Sequence, residues 1–292
     1  SKWEPVQIPS GGRDIAVVGG YAYVTFGPPP LQFVGGGLCL INVADPAHPM
    51  PVASVTTLES PTRVILAGSR AYVVDSGGLH VLDATDPAHP AEVGAYRQPG
   101  AAFDVVRAGS HAYVAGGGAG LHIFSLADPA RPQWVGSCRT AGYVAWVAMA
   151  GGYAYVAEQR GSLRVIDVRN PVHPVEVGSC PLPDSETKGI AVASGYAYVA
   201  AQVSGLRIID VRNPTQPVEV SSVPGVAWGI ALADGYAYLS SPWALQVLRV
   251  TDPAQPATVG SWTGTGIAYG LAVAGHYAYV AMGDQGLRII DV

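Results

Sequence analysis

Gly189-Ile-Ala-Val-Ala-Ser-Gly-Tyr-Ala-Tyr-Val-Ala200, continued by Leu206-Arg-Ile-Ile-Asp-Val-Arg-Asn-Pro-Thr-Gln-Pro-Val-Glu-Val-Ser221, is the stretch that decides the fold. Gly189 to Ala193 reads as a short apolar strand. Ser194-Gly195 is a two-residue turn of the hairpin kind. Tyr196 to Val199 alternates Tyr and Ala at period two, the mark of a second strand. Leu206 to Val211 reads as a third strand and Val218 to Ser221 as a fourth. Asn213-Pro214 to Pro217 turns the chain between them, because proline fixes φ and cannot donate to a ladder.

The same unit recurs through the chain. Its Tyr falls at Tyr23, Tyr72, Tyr113, Tyr155, Tyr198, Tyr238 and Tyr279, at spacings of 49, 41, 42, 43, 40 and 41. The apolar run that follows opens at Leu38, Leu79, Leu121, Leu163, Leu206, Leu245 and Leu287. An Asp/Asn-Pro-x-x-Pro motif begins at Asp45, Asp86, Asp128, Asn170, Asn213 and Asp252, so half of the prolines are repeat punctuation. Four strands per roughly 42 residues, with no useful helical period, predict an all-β seven-bladed β-propeller, one domain over residues 1–292. The last unit stops after its third strand. Pro5-Val6-Gln7-Ile8 resembles the missing fourth strand, so Trp3 to Ile8 is expected to complete the final blade and remove two exposed edges.

The turn length sets the register. Each repeat Tyr is expected opposite the residue seven earlier: Ala16, Ile65, Val106, Ala148, Ala191, Ala231 and Ala272. Large-against-small pairing of this kind assigns the Tyr ring to the core.

Leu163-Arg-Val-Ile-Asp-Val168, Leu206-Arg-Ile-Ile-Asp-Val211 and Leu287-Arg-Ile-Ile-Asp-Val292, with the Asn-Pro-x-x-Pro turn and the Tyr-Ala-Tyr-Val strand, resemble the LVIVD-repeat propellers of bacteria and archaea. The resemblance covers the whole chain. It implies the propeller fold and a secreted or cell-surface location, and no particular reaction. Units one, three and six depart at the Asp, with Asn42, Ser125 and Arg249. The departures speak against a repeated functional Asp and for a residue that caps the following turn.

Composition excludes several classes. Hydrophobic residues are 49%, enough for a core, and this balance excludes disorder. The net charge of −5 and the lack of a basic block argue against nucleic acid. No apolar run is long enough to span a membrane. The chain starts at Ser1, as a mature secreted form or a trimmed chain would. A monomer is expected. Cys39, Cys138 and Cys180 are odd in number and lie on separate strands, so free thiols are expected. A catalytic thiol needs a basic partner, and Arg139 beside Cys138 is weak support for one.

Propellers commonly bind ligands at the channel mouth, where the innermost strands begin and second strands connect to third. Nine residues before the repeat Tyr the units carry Asp14, Arg63, Asp104 and Trp146, then Gly189, Gly229 and Gly270. Ten before, they carry Arg13, Thr62, Phe103, Ala145, Lys188, Trp228 and Tyr269. Asp75 is expected opposite Thr62, and Glu158 opposite Ala145. Trp243 and the blade-one insertion Gly27 to Val34 are expected on the rim. Mixed charge beside aromatic walls suits a small polar ligand, and a solvated ring of ion pairs is the structural alternative. His48, His89, His111, His173 and His276 fall at the other end, and His80 and His122 in third strands. No His is therefore expected at the mouth, which disfavours a Ser-His-Asp triad or a metal centre, and no cofactor motif appears. Arg107 replaces an apolar residue of the other units and is expected in a buried ion pair with Asp75 or Asp104.

Three functions follow. The first is an extracytoplasmic module that binds a ligand or protein partner at the mouth. The second is a hydrolase or lyase on a small polar or anionic substrate, with Asp14 or Asp104 as acid or base, Arg63 and Lys188 holding an anionic group and Tyr269 as auxiliary donor. The third is a scaffold that carries protein partners on the blade sides.

Overall fold

The computed structural model describes residues 5–9, 11–27, 35–97, 102–183 and 186–292. Every regular element among them is a strand. Six four-stranded antiparallel sheets in simple meander order and one three-stranded sheet account for the seven sequence units. Blade 5 is typical, with strands Gly189–Ala193, Tyr196–Ala200, Leu206–Asp210 and Val218–Val223. The three-stranded sheet is blade 7, Gly270–Ala274, Tyr277–Ala281 and Leu287–Asp291.

The expected first-hairpin register holds in all seven blades, from Ala16↔Tyr23 to Ala272↔Tyr279. The turn residues Ser194 and Asp234 take positive φ, and so do the glycines beside them, as a primed two-residue turn requires. All seven repeat tyrosines are buried, none more than 8% exposed. Packing is between blades. One cluster joins Tyr23, Leu38 and Leu40 of blade 1 to Val64, Val73 and Leu82 of blade 2. Another joins Tyr155 and Leu163 of blade 4 to Val199 and Ile209 of blade 5.

The polar punctuation has defined work. At each of the six Pro motifs the Asp or Asn Oδ1 accepts the amide two residues on, at 3.0–3.2 Å. The third-strand Asp caps its turn the same way, as Asp210 does with Arg212 N at 3.0 Å. Asn42 and Ser125 do likewise with Ala44 and Ala127. In blades 2 to 4 the outermost strand carries a bulge whose glycine, Gly94, Gly136 or Gly178, faces the next blade's Pro turn. A Cβ on Gly136 would sit 2.2 Å from Pro171 O, and one on Gly178 2.3 Å from Pro214 O. In blade 5 the position is Ser221, whose Oγ donates to Pro253 O at 2.6 Å.

Val6 pairs with Leu287 through two backbone hydrogen bonds, 3.0 and 2.8 Å, and supplies blade 7 with its missing edge partner. Val6 and Ile8 are buried with Leu287 and Ile289. Trp3, at the start of the expected closing strand, lies outside the described residues, as does the blade-one insertion from residue 28 to 34.

Contacts divide the chain into two compact units. Unit 1 is 1–102, 128–132 and 264–292, holding blades 1, 2 and 7. Unit 2 is 103–127 and 133–263, holding most of blade 3 and blades 4 to 6.

Two register details differ from the sequence expectation. A bulge between Val144 and Trp146 puts Glu158 opposite Val144 instead of Ala145. A similar bulge in blade 1 makes Arg13 the extra residue between Gly12 and Asp14. The buried position expected for Arg107 is corrected: its side chain is exposed, and its apolar equivalents in the other blades are only half-buried.

Candidate functional site

The entrance end of each blade, where the first strand begins and the second meets the third, carries all the candidate residues. In unit 1 Asp14 is 3% exposed. Its Oδ2 accepts Val64 N of blade 2 at 2.8 Å, and its Oδ1 accepts Arg63 Nη1 at 2.9 Å. Burial pushes its pKa up, while Arg63 and two backbone amides pull the other way without prevailing. Asp14 is thus a clasp between the innermost strands of two blades. Arg13 folds back toward blade 1. Its Nη1 donates to Ser60 Oγ at 2.8 Å, its guanidinium covers Gly27, and burial lowers its pKa. Tyr269 is 46% exposed.

Asp75 is fully buried and anchors a turn. Its Oδ1 accepts Gly77 N and Gly78 N at 2.7 and 3.0 Å, and its Oδ2 accepts Glu59 N at 3.0 Å. The expectation of no histidine near these residues is corrected here. His80 Nε2 lies 3.1 Å from Asp75 Oδ1, and His80 Nδ1 lies 3.2 Å from Glu92 Oε2. A third-strand residue points back along its blade and meets the end of the neighbouring second strand, which linear spacing does not reveal.

In unit 2 Asp104 repeats the Asp14 device. It is 2% exposed, and its Oδ2 accepts Val147 N of blade 4 at 2.8 Å. Glu158 repeats the Asp75 device. Its Oε1 accepts Gly142 N at 2.6 Å, and Arg164 bridges Glu158 and Glu176 at 3.2 and 3.0 Å. Phe103 packs edge-on against Tyr143, ring centroids 5.2 Å apart. Trp146 Nε1 donates to Thr187 O at 2.9 Å. Lys188 Nζ stands 2.7 Å from Glu186 and 5.9 Å from the Trp228 ring centroid. Trp243 is 65% exposed at the tip of the Ser241–Ala244 turn.

No group of three His, Cys, Asp or Glu side chains among the described residues is placed to hold a metal ion. The three cysteines are free thiols, and burial pushes all three pKa values up, Cys39 to about 11. Cys138 is therefore not activated by its neighbour Arg139.

The LVIVD repeat model matches seven times, at residues 11–57, 61–98, 99–140, 141–181, 185–223, 224–263 and 265–292. The chain belongs to the LVIVD-repeat family. No curated protein matches it. Among solved structures it is similar to the Cps50 (Swd1) β-propeller domain of Myceliophteria thermophila, at 12% identity and TM-score 0.77 over 98% of each chain. It is also similar to the computationally designed Ika8 protein, at 7% identity and TM-score 0.70 over 99% of this chain and 98% of that one. At these identities the likeness establishes the β-propeller fold alone.

Within this LVIVD-repeat chain the residue after the third-strand Leu is Arg164, Arg207 and Arg288 in three blades, His80 and His122 in blades 2 and 3, and Gln246 in blade 6. Burial opposes charge on His80, but the hydrogen bond to Asp75 and the charges of Asp75 and Glu92 outweigh it and raise its pKa above 6.5. Asp75 is held below its usual value: burial pushes it up, and His80 with the Glu59 and Gly77 amides pulls it down further. A raised His pKa means the folded chain holds that proton more tightly than the unfolded one. Its contribution is full below about pH 6.5 and is lost as pH rises through the folded value. The Asp75 contribution is present above about pH 4 and lost as pH falls. His80→Arg, which copies blade 4, should therefore flatten the decline of unfolding free energy between pH 6 and 8, measured by urea titration. His122, lowered by burial, is common to both proteins and cancels in the difference. An unchanged slope in the variant would refute the assignment.

Sequence reasoning missed Glu186, Thr187, Tyr143 and His80 as members of these networks. The one linear signal was adjacency: Glu186 and Thr187 precede Lys188 at the blade-5 entrance.

Proposed function

We propose that the chain works as a single-domain, non-catalytic recognition module in an extracytoplasmic setting, and that it binds a small polar ligand at the entrance end. The LVIVD-repeat membership supports the extracytoplasmic setting. The observation that carries the reading is the state of the two carboxylates an acid–base reaction would need. Asp14 and Asp104 are 3% and 2% exposed and each accepts a backbone amide of the next blade. General acid–base catalysis needs a carboxyl within reach of substrate, and these two are committed to holding strands together. The entrance end of unit 2 also carries aromatic and cationic side chains, the half-buried Lys188 and Trp228 and the exposed Trp243.

A thermal-shift panel of sugars, organic acids, nucleotides, amino acids and divalent cations tests this. At a hundredfold excess over Kd a true ligand contributes about 2.7 kcal/mol, several degrees of melting temperature. The expected result is one class that stabilises the protein, fails to stabilise Trp228→Ala, and is recovered unchanged after prolonged incubation. Chemical conversion of that ligand would replace the reading with an enzymatic one. A panel without a hit would refute small-ligand recognition and favour a protein partner.

A further inference from the structure

Most charges at the blade entrances stand beside an opposite one: Asp14 with Arg63 at 2.9 Å, Asp75 with His80 at 3.1 Å, Glu158 with Arg164 at 3.2 Å and Lys188 with Glu186 at 2.7 Å. Arg13 is different. Its side chain is half-buried, and no carboxylate among the described residues forms an ion pair with it. The acids of unit 1 around it are engaged elsewhere. Asp14 accepts from Val64 N and Arg63. Glu59 Oε2 accepts from Ser76 Oγ at 3.4 Å. Asp284 Oδ1 faces Gly11, where a Cβ would stand 3.0 Å from it. Burial accordingly lowers the Arg13 pKa, and only Tyr269 acts against that shift.

Anchoring does not require that charge. Arg13 Nη1 donates to Ser60 Oγ at 2.8 Å, in the segment that joins blade 1 to blade 2. The blade-2 equivalent, Thr62, donates its Oγ1 to Ala102 O at 2.9 Å, in the segment that leads out of blade 2. A neutral hydroxyl therefore holds the same kind of connection. A guanidinium brings five N–H donors, and Ser60 takes one. The backbone sets where the others point. Arg13 is the extra residue of the blade-1 bulge, which takes it out of the strand ladder. A Cβ on Gly27 would stand 2.3, 2.4 and 2.5 Å from Arg13 Nη2, Cζ and Nε. These near-equal distances put the glycine against the face of the guanidinium, so the N–H groups on its edge point past it.

The unmatched charge selects the ligand. The edge of a guanidinium matches a carboxylate through two parallel hydrogen bonds. One unmatched cation neutralises one negative charge. The next guanidinium, Arg63, is already matched by Asp14, so a dianion would keep a surplus charge here. Tyr269 adds an apolar surface. It is 46% exposed, and its ring rests on Gly283, where a Cβ would stand 3.1 Å from Cε2. Gly283 pairs with Gly12, the residue before Arg13, through two backbone hydrogen bonds of 3.2 Å. An aromatic surface beside an unmatched guanidinium suits an acid with an apolar body.

We propose that Arg13, with Ser60 and Tyr269 beside it, forms a binding site for a small organic monocarboxylate with an apolar body. The site belongs to unit 1 and goes beyond the Trp228-dependent binding proposed above. Its test is calorimetric titration of the intact protein with acetate, hexanoate, benzoate and phenylacetate, with benzamide and inorganic phosphate as controls. At least one of the three larger acids should bind saturably, and more tightly than acetate, benzamide or phosphate. Arg13→Thr copies Thr62 and keeps an anchoring hydroxyl; it should weaken that binding at least about tenfold. Arg13→Lys keeps the charge without the fork and should lose less. Tyr269→Ala should narrow the gap between the larger acid and acetate. Trp228→Ala should bind as the parent does. Acids that bind no better than benzamide, or parental affinity in Arg13→Thr, would overturn the site. Should Arg13→Thr not fold, parental affinity in both Arg13→Lys and Tyr269→Ala would overturn it instead. Tighter binding of phosphate would overturn the ligand class. Loss of acid binding in Trp228→Ala would assign the acid to the recognition site above and overturn this one. Failure of the acids alone leaves a Trp228-dependent ligand of another class standing, so the two readings fail separately.

Discussion

Asp14→Ala is expected to lower the unfolding free energy by about 2–4 kcal/mol, measured by denaturant titration. The variant deletes the acceptor of the buried Val64 N and of Arg63 Nη1. An unsatisfied buried amide costs about 1–3 kcal/mol, and breaking a buried charge pair costs up to about 5 kcal/mol. The upper figure is discounted because the Arg63 side chain is 33% exposed and can turn toward water. Asp14→Asn keeps an acceptor for Val64 N and should recover part of the loss. The functional corollary is that Asp14→Asn retains ligand binding, whereas an acid–base role would remove activity with little effect on stability. Asp14→Ala as stable as the parent would remove the clasp and reopen the enzymatic reading.

Gly286→Ala is expected to cost roughly 2–5 kcal/mol and to loosen the N-terminal edge of blade 7. Gly286 has φ +76°, and a Cβ there would lie 1.9 Å from Val6 O. The left-handed backbone costs an L-residue about 1–2 kcal/mol, and overpacking adds about 1–3 kcal/mol. The clash falls on the carbonyl that accepts Leu287 N at 2.8 Å, so the strand pairing itself must yield. Hydrogen exchange should accelerate at the Val6 and Leu287 amides while blade 5 keeps its protection. Gly275→Ala is the control, since its φ is +58° and nothing lies within 4 Å of its Cβ position. Equal losses in the two variants would mean that backbone strain alone acts and that Val6 is not held as described.

Those two predictions concern residues of opposite legibility. Gly286 precedes the Leu that opens the third strand, as Gly120 and Gly205 do in their blades, so its recurrence can be seen in the sequence even though its contact with Val6 cannot. Asp14 and Asp104 were visible as departures from Gly, but a departure has no direction. A charged residue at a strand start reads equally as a ligand contact or a clasp until its partner is known. Those partners are Val64 and Val147, 50 and 43 residues further along the chain. His80 was assigned correctly to its strand and yet missed as the neighbour of Asp75.

The sequence by itself determined the blades: seven units, four strands in each full copy, the hairpin register and the Pro-bounded turns. Each of these depends on interactions between residues a few positions apart, where turn length and period-two alternation leave one arrangement open. Tertiary structure alone decided the bulges beside Asp14 and Trp146, the blade-to-blade clasps, and the pairing of Lys188 with Glu186 and Trp228. A bulge moves a side chain by one position for the sake of packing against a neighbouring sheet. A clasp exists only once two blades are face to face. Neither leaves a periodic trace in the chain, because its energy is realised between segments that linear spacing does not connect.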